Sequence, residues 1–504
     1  MPDTTSAYGR LESLFHKIHN LTHLAAMAHW DSATMMPPGG SEARGQALAE
    51  ISSLINERVG SQETGELIEQ ADAVRSSLSD WQQANLREMR REWFNASSVS
   101  PELVRAHSLA SSRCENAWRK LRGENNWADF EPLLSEVIAL TREQAAMRSA
   151  ASGLPPYDAL LNLYEPGQSS DNINRVFAQL KAFLPAFVKQ TVQEQKGDDL
   201  IRPAGSFPVE KQKALALELM KAIGFDFNHG RLDTSHHPFC GGVPEDVRIT
   251  TRYAENDFSE SLMGVLHESG HAKYEQGLPR EWLSQPVGKA RSMGIHESQS
   301  LFQEMQVCRS HAFLRFSGPL MKARLGNSET PDACWEADNL HRLYNRVQPG
   351  YIRVNADEAS YPLHVILRYE LEKALVEGSL EVRDIPEAWD EKMQNYLGLS
   401  TRDNYKDGCM QDIHWTHGML GYFPTYTLGA MNAAQLFRAA HEAIPDLEEL
   451  ISRGSFDVLN QWQSKAIWSW GSYWSIDELM RQASGEALNP KHFIHHLQQR
   501  FSPQ

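Results

Sequence analysis

Apolar residues recur every three or four positions along most of this chain, the spacing that lines one face of an α-helix. Leu11, Leu14, Ile18 and Leu21 set that rhythm over residues 8–29. The same periodicity predicts helices over 41–58, 64–94, 101–122, 130–152, 171–195 and 209–223. Helices resume at 257 and run to the end, with breaks near 349–356, 384–388, 397–409 and 421–424. Ser100-Pro101-Glu102 is a clear start signal, a capping hydroxyl followed by a proline in the first turn. The rhythm changes once. Between 229 and 254, Gly, His and Pro cluster, and Val247, Ile249, Thr251 and Tyr253 alternate with Arg248, Thr250 and Arg252. A period of two predicts a strand, and a small sheet there would offer an extended peptide an edge to pair with.

The helix predicted just after that strand carries His267-Glu268-Ser269-Gly270-His271, an H-E-x-x-H pattern. Each helical residue turns about 100°, so with His267 at zero, Glu268 lies near ~100° and His271 near ~40°. Two imidazoles and one carboxylate therefore share a sector, which suits two zinc ligands beside a general base. Asp257-Phe258-Ser259-Glu260 has the spacing of a capping box at the start of this helix. Phe258, Leu262, Val265, Ser269 and Ala272 form an apolar or small stripe that would bury a different side. Gly277 and Pro279 end the pattern.

A catalytic zinc keeps three protein ligands and one open position. Glu297, in Gly294-Ile295-His296-Glu297-Ser298-Gln299-Ser300, is the best candidate for the third. The intervening residues leave room for the first helix to end, a loop through Pro279 and Pro286, and a second helix to pack alongside. Ile295, Leu301, Phe302 and Met305 give that second helix an apolar face. Glu304 follows two turns on, either as a carboxylate supporting a ligand histidine or as a solvated acid.

Eight segments together resemble the carboxypeptidase Taq family of zinc metallocarboxypeptidases. They are Trp30-Asp31-Ser32-Ala33-Thr34-Met35-Met36-Pro37; His237-Pro238-Phe239; Asp246-Val247-Arg248-Ile249-Thr250; the H-E-x-x-H; His296-Glu297-Ser298-Gln299; Ile352-Arg353-Val354-Asn355-Ala356-Asp357; Gln411-Asp412-Ile413-His414-Trp415; and Gly421-Tyr422-Phe423-Pro424-Thr425-Tyr426. They run from about residue 30 to about residue 430, with no departure at the metal positions.

The resemblance implies a mainly α, two-lobed helical zinc-peptidase (neurolysin-like) architecture with a deep substrate cleft and a small antiparallel β-sheet beside the active site. A single catalytic unit over 1–504 is expected, with an N-terminal helical lobe at about 1–225, a metal-site core at about 226–430 and C-terminal helices over 431–504. Zn2+, one per chain, is the expected cofactor, with Co2+ or Mn2+ able to occupy the same ligands. Glu268 is expected to act as general base. Related helical zinc peptidases place a late histidine and tyrosine at the developing oxyanion, which here suggests His414 and Tyr422, with Tyr426 and His417 in reserve; aromatic packing in a glycine-rich loop is the alternative for each.

An exopeptidase must also read a free C-terminal carboxylate, a task suited to the planar fork of arginine. The family patterns point to Arg353 first and Arg248 second, although Asp357 and Asp246 could make each a structural ion pair. His237 and Tyr426 are expected near the substrate, His236 to be incidental, and His492, His495 and His496 to form a solvated helix end.

Composition narrows the partners. A net charge of −16 argues against a general nucleic-acid or anionic-membrane binder. The five cysteines show no C-x-x-C spacing, which favours reduced thiols. The N-terminus lacks the basic and apolar regions of a signal peptide, and no apolar stretch approaches the ~18 residues of a membrane span. The expectation is a cytoplasmic enzyme, a homodimer by family resemblance, acting with broad specificity on peptides with a free C-terminus. The alternatives are a zinc oligopeptidase or dipeptidyl carboxypeptidase, and a catalytically silent peptide-binding homologue.

Overall fold

The computed structural model describes residues 5–501. They are mainly helical, with one three-stranded sheet where the period-two segment lies. Helix Pro101–Leu121 begins as its sequence signal requires, with Ser100 Oγ accepting from the Leu103 N–H. The helix predicted over 64–94 is two, Gln62–Asp72 and Asp80–Ser97. Ser79 and Gln82 explain the break. The Ser79 N–H donates to Gln82 Oε1 at 3.0 Å and the Gln82 N–H to Ser79 Oγ at 3.4 Å, a reciprocal cap that restarts the helix.

The chain folds as two compact units, each built from separated segments. Among the described residues, the first comprises those up to 97 together with 199–344 and 432–488, and the second 98–198, 345–431 and those from 489 onward. The segment expected as one N-terminal lobe is therefore shared between both units.

In the first unit, β1 (Gly230–Thr234), β2 (Cys240–Val243) and β3 (Asp246–Thr251) form a sheet in the order β1-β3-β2. It is mixed, not antiparallel throughout: β3 runs parallel to β1 and antiparallel to β2. A tight hairpin pairs Val243 with Asp246, whereas Ser235–Phe239 carries the chain across the end of β3 to the opposite edge. Thr250 pins that crossover, its Oγ1 accepting from the Phe239 N–H at 3.1 Å and its own N–H donating to the Phe239 carbonyl at 3.0 Å. Leu232, Val247 and Ile249 pack with Ala216, Met220, Val265 and Ala272 into one core cluster, so helices Val209–Ala222 and Ser259–Gln276 share it with the sheet.

The Ser259–Gln276 helix starts without the expected capping box. Asp257 Oδ1 accepts from both the N–H and the hydroxyl of Ser259, while Glu260 reaches Arg252 instead of turning back. All five predicted stripe residues are buried, but so are Leu266, Glu268 and Tyr274, because this helix is enclosed on several sides.

In the second unit, helix Tyr361–Glu377 is largely buried. Its Glu372 accepts from Trp415 Nε1, the Gly421 N–H and the Tyr157 hydroxyl, and burial lifts its pKa to about 8. The histidines near the C-terminus are not all solvated. His496 Nε2 lies 2.7 Å from Glu358 Oε1, and Arg500 Nη1 3.1 Å from Glu358 Oε2, which anchors helix Lys491–Phe501. All five cysteines are unpaired.

One buried ion cluster prepares the ground for the site. Glu88, 1% exposed, receives Arg291 Nη1 at 2.8 Å, Arg87 Nε at 2.9 Å and Arg91 Nε at 2.8 Å. Burial alone would raise the Glu88 pKa, yet Arg291, Arg91 and Arg87 overcome it and hold the group at about 2, below its ordinary 4.5. A carboxyl held low in the fold stabilises it above the ordinary range and loses that contribution as pH falls from about 4.5 towards 2. Glu88→Gln should therefore lower stability at neutral pH by about 3–5 kcal/mol, leaving Arg291 buried without its counter-ion. Melting temperatures of both proteins across the acid range check this. The two curves should converge as pH drops; a gap as wide in acid as at neutrality would contradict it.

Candidate metal centre

His267 and His271 lie one turn apart on helix Ser259–Gln276, with ring centroids 5.0 Å apart. Glu297 comes from helix Met293–Leu301, its Oε2 3.4 Å from His271 Nε2. One ligand atom from each of His267, His271 and Glu297 falls within 4.8 Å of the other two. Such a cluster of two imidazole nitrogens and one carboxylate oxygen has the donor set of a catalytic divalent-metal site.

Gly270 sets this geometry. A Cβ added there would stand 2.5 Å from the Gln299 carbonyl oxygen and 2.6 Å from Ser300 Cα, so the two helices touch backbone to backbone. That approach brings Glu297 within reach of His271. The second helix is fixed at its start, where Ser292 Oγ accepts from the Ile295 N–H and the neighbouring Arg291 is locked onto Glu88.

Beyond Leu301 the helix widens into a π-helical stretch, Phe302–Cys308. Its Glu304 places Oε2 2.9 Å from His267 Nδ1, while Arg309 Nη2 donates to Glu304 Oε1 at 2.5 Å. Of the two readings open for Glu304, the solvated acid is not realised: the group is buried and meets His267. His271 Nδ1 is also engaged, by His296. Both imidazoles are thus held through Nδ1, and both Nε2 atoms are left for a cation. The residues present fit the metal.

Glu268 is 8% exposed. Burial raises its pKa, Glu297 and Glu304 add to the rise against His267, and the group stands at about 7. A carboxyl near neutrality can both accept and return a proton.

The remaining expected site residues fall into two groups. On the sheet, Arg248 forks Asp246 through Nε (2.9 Å) and Nη2 (2.6 Å) and stacks 4.7 Å above the Trp30 ring. The ion pair weighed for Arg248 is formed. His237 sits in the crossover loop held by Thr250, its carbonyl accepting from Ser235 Oγ.

In the second unit, Arg353 is buried and donates from Nε and Nη2 to Asp412 Oδ1 at 3.1 and 2.9 Å, and from Nη1 to the Tyr361 hydroxyl at 2.7 Å. Its partner is Asp412, not Asp357. Asp357 instead accepts from the N–H groups of Gln348, Ala359 and Ser360. Arg368 shares Asp412 through Nε at 2.7 Å, so two guanidiniums flank one carboxylate. Sequence reasoning missed Asp412 and Arg368 as a pair; the only available signal was the place of Asp412 in the Gln411–Trp415 segment. His414 Nε2 lies 3.3 Å from the Tyr426 hydroxyl, and its ring is 5.6 Å from that of Tyr422. Burial, then the charge of Arg353, lowers the His414 pKa to about 4 and keeps it neutral. His417 turns to Glu115 at 3.3 Å.

A helical protein with a buried H-E-x-x-H helix and a glutamate converging on it from the next helix has the makings of a metallopeptidase. The sequence profile of the carboxypeptidase Taq (M32) metallopeptidase family matches residues 10–501, and the chain belongs to that family. It is a metallocarboxypeptidase, a peptide hydrolase that depends on a divalent metal. Thermostable carboxypeptidase 1 of Thermus thermophilus is 39% identical to it, covering 99% of this chain and 98% of that protein. The solved structure of Trypanosoma cruzi metallocarboxypeptidase 1 superposes with a TM-score of 0.96 at 44% identity, covering 99% of both chains. That of Pyrococcus furiosus carboxypeptidase in its Apo-Mg form gives 0.93 at 31% identity, covering 98% of this chain and 99% of the other.

The Gly270 contact yields a direct test. Gly270→Ala should cost about 1–3 kcal/mol by overpacking and weaken metal binding, because the Glu297 helix must retreat. Gly264→Ala on the same helix meets nothing within 4 Å and is the control, expected to be neutral or slightly stabilising. Melting temperature and metal titration of both variants decide it; equal behaviour of the two would refute the close-approach argument.

Proposed function

We propose that the metal is zinc, held by His267, His271 and Glu297, and that the enzyme removes single residues from the free C-terminus of peptides with broad specificity. The observation that carries this reading is the convergence of those three ligand atoms beside the buried Glu268. When bound, a divalent cation supplies a Lewis acid that polarises the scissile carbonyl and acidifies the attacking water. Glu268, buried beside those ligands, takes the proton from that water and hands it to the leaving amine. Glu304 and Arg309 hold the His267 ring in place throughout.

Tyr422 and His414 are the proposed donors to the developing oxyanion, supported by the family resemblance and by the neutral state of His414. Arg353 is the proposed anchor of the substrate carboxylate, with Arg248, His237 and Tyr426 as further substrate contacts. The flanking of Asp412 by two arginines supports it, since one positive charge is left in excess. Arg248 is less suited, because it forks Asp246 one to one, which leaves no excess positive charge in that pair. We further propose a cytoplasmic homodimer, as the family resemblance suggests. No helix among the described residues is long and apolar enough to cross a membrane.

Glu268→Gln should lower kcat by about 10²–10⁴-fold while the protein still binds one metal per chain, read by turnover and metal analysis on the same sample. Loss of metal together with activity would remove Glu268 from the role of base. Mass spectrometry of products from one unblocked peptide and its C-terminally amidated twin tests the exopeptidase reading. Stepwise shortening of the first alone is expected; internal cleavage of the amidated peptide points instead to an oligopeptidase. Tyr422→Phe should lower kcat by about 10²–10³-fold with metal affinity unchanged, and unaltered turnover would exclude it as the oxyanion donor.

A further inference from the structure

The two ligand histidines are supported unequally. His267 Nδ1 meets the Glu304 carboxylate directly, and Arg309 binds the other oxygen of that carboxylate. His271 Nδ1 instead meets the ring of His296, nitrogen to nitrogen, at 2.6 Å. The far nitrogen of that ring, Nε2, lies 2.8 Å from Glu275 Oε1. Glu275 stands one turn beyond His271 on the same helix, so the chain of contacts leaves that helix, passes through His296 and returns to it. Tyr274 lies tilted against His296 with ring centroids 5.4 Å apart and is itself fixed by the Arg291 N–H, which donates to its hydroxyl.

Proton counting assigns every donor in this chain. Two ring nitrogens at 2.6 Å must share a single hydrogen. If His271 gives the Nε2 lone pair to a cation, its Nδ1 carries the hydrogen and donates. His296 Nδ1 must then accept, which puts the His296 hydrogen on Nε2, facing the Glu275 carboxylate at 2.8 Å. No other arrangement of hydrogens satisfies both contacts while leaving His271 Nε2 free.

We propose that His296, backed by Glu275, is a positioning residue that fixes the tautomer and ring orientation of His271 for metal binding. It acts through His271 and touches no substrate in this scheme. The proposal rests on the reading of His267, His271 and Glu297 as the metal ligands. It also makes the two ligands chemically distinct: one is backed by a carboxylate directly, the other through an intervening imidazole. Partners of this kind beyond the ligands typically set metal affinity by about 10–100-fold.

The test uses the full-length protein stripped of metal and titrated with cobalt(II), whose visible absorption reports ligand geometry. Three variants are compared with the parent. His271→Ala examines the ligand set itself and should abolish tight cobalt binding. His296→Leu keeps bulk but removes the acceptor, and should weaken cobalt binding by about 10–100-fold and alter the absorption bands. His296→Asn keeps an acceptor oxygen near the position of Nδ1, and should restore most of the affinity and the parental spectrum. If His296 only filled space, the order would reverse, with Leu tolerated and Asn not. Cobalt lost in His271→Ala but bound with parental affinity and spectrum in His296→Leu overturns this proposal alone. Parental binding in His271→Ala overturns the ligand assignment and the proposal with it. Should His296→Leu fail to fold, Glu275→Leu carries the test. It removes the far acceptor and should shift affinity in the same direction by a smaller factor, and parental affinity there would likewise overturn the proposal.

Discussion

Backbone contact between helix Ser259–Gln276 and helix Met293–Leu301 is the constraint on which the site depends. Gly270 faces the Gln299 carbonyl and Ser300 Cα at distances that no side chain could share. Two helices normally pack with axes about 8–10 Å apart, held off by their side chains. Removing the Cβ at one position allows a closer approach, and a short acidic side chain can then meet a histidine across the gap. The first turn of the second helix is secured independently, through Ser292 and through Arg291 on Glu88.

The buried carboxylates divide by their neighbours. Glu88, Glu304 and Asp412 each receive hydrogen bonds from arginine, and each is held below the ordinary carboxyl range despite burial. Glu268 and Glu372 are pushed up, to about 7 and about 8. Around Glu372 the hydrogen-bond donors are neutral, and two of the groups nearest Glu268 are themselves carboxylates. The same side chain is thus held as an anion beside arginine and raised towards neutrality where arginine is not among its hydrogen-bond donors.

The H-E-x-x-H helix was legible in the sequence because it depends on local spacing, and the family because short motifs recur in order along the chain. Helical periodicity places His267, Glu268 and His271 in one sector whatever surrounds them. Helix boundaries were less secure: the cap at Ser79 and Gln82 splits a stretch whose apolar rhythm runs on, and Asp257 caps the metal helix without the box its spacing suggested. The sheet was visible as a strand, but its mixed order was not, since alternation records burial and carries no direction.

By itself the sequence determined the helical class, the H-E-x-x-H pattern and membership of the carboxypeptidase Taq family, which rest on local periodicity and on short motifs in a fixed order. Tertiary structure alone decided that Arg353 pairs with Asp412 rather than Asp357, that His496 is anchored by Glu358, and that His271 leans on His296. Each of these pairs joins residues far apart in sequence. Their partners are chosen by which buried charge or ring nitrogen would otherwise go unsatisfied, and that is defined only once the chain has closed around it.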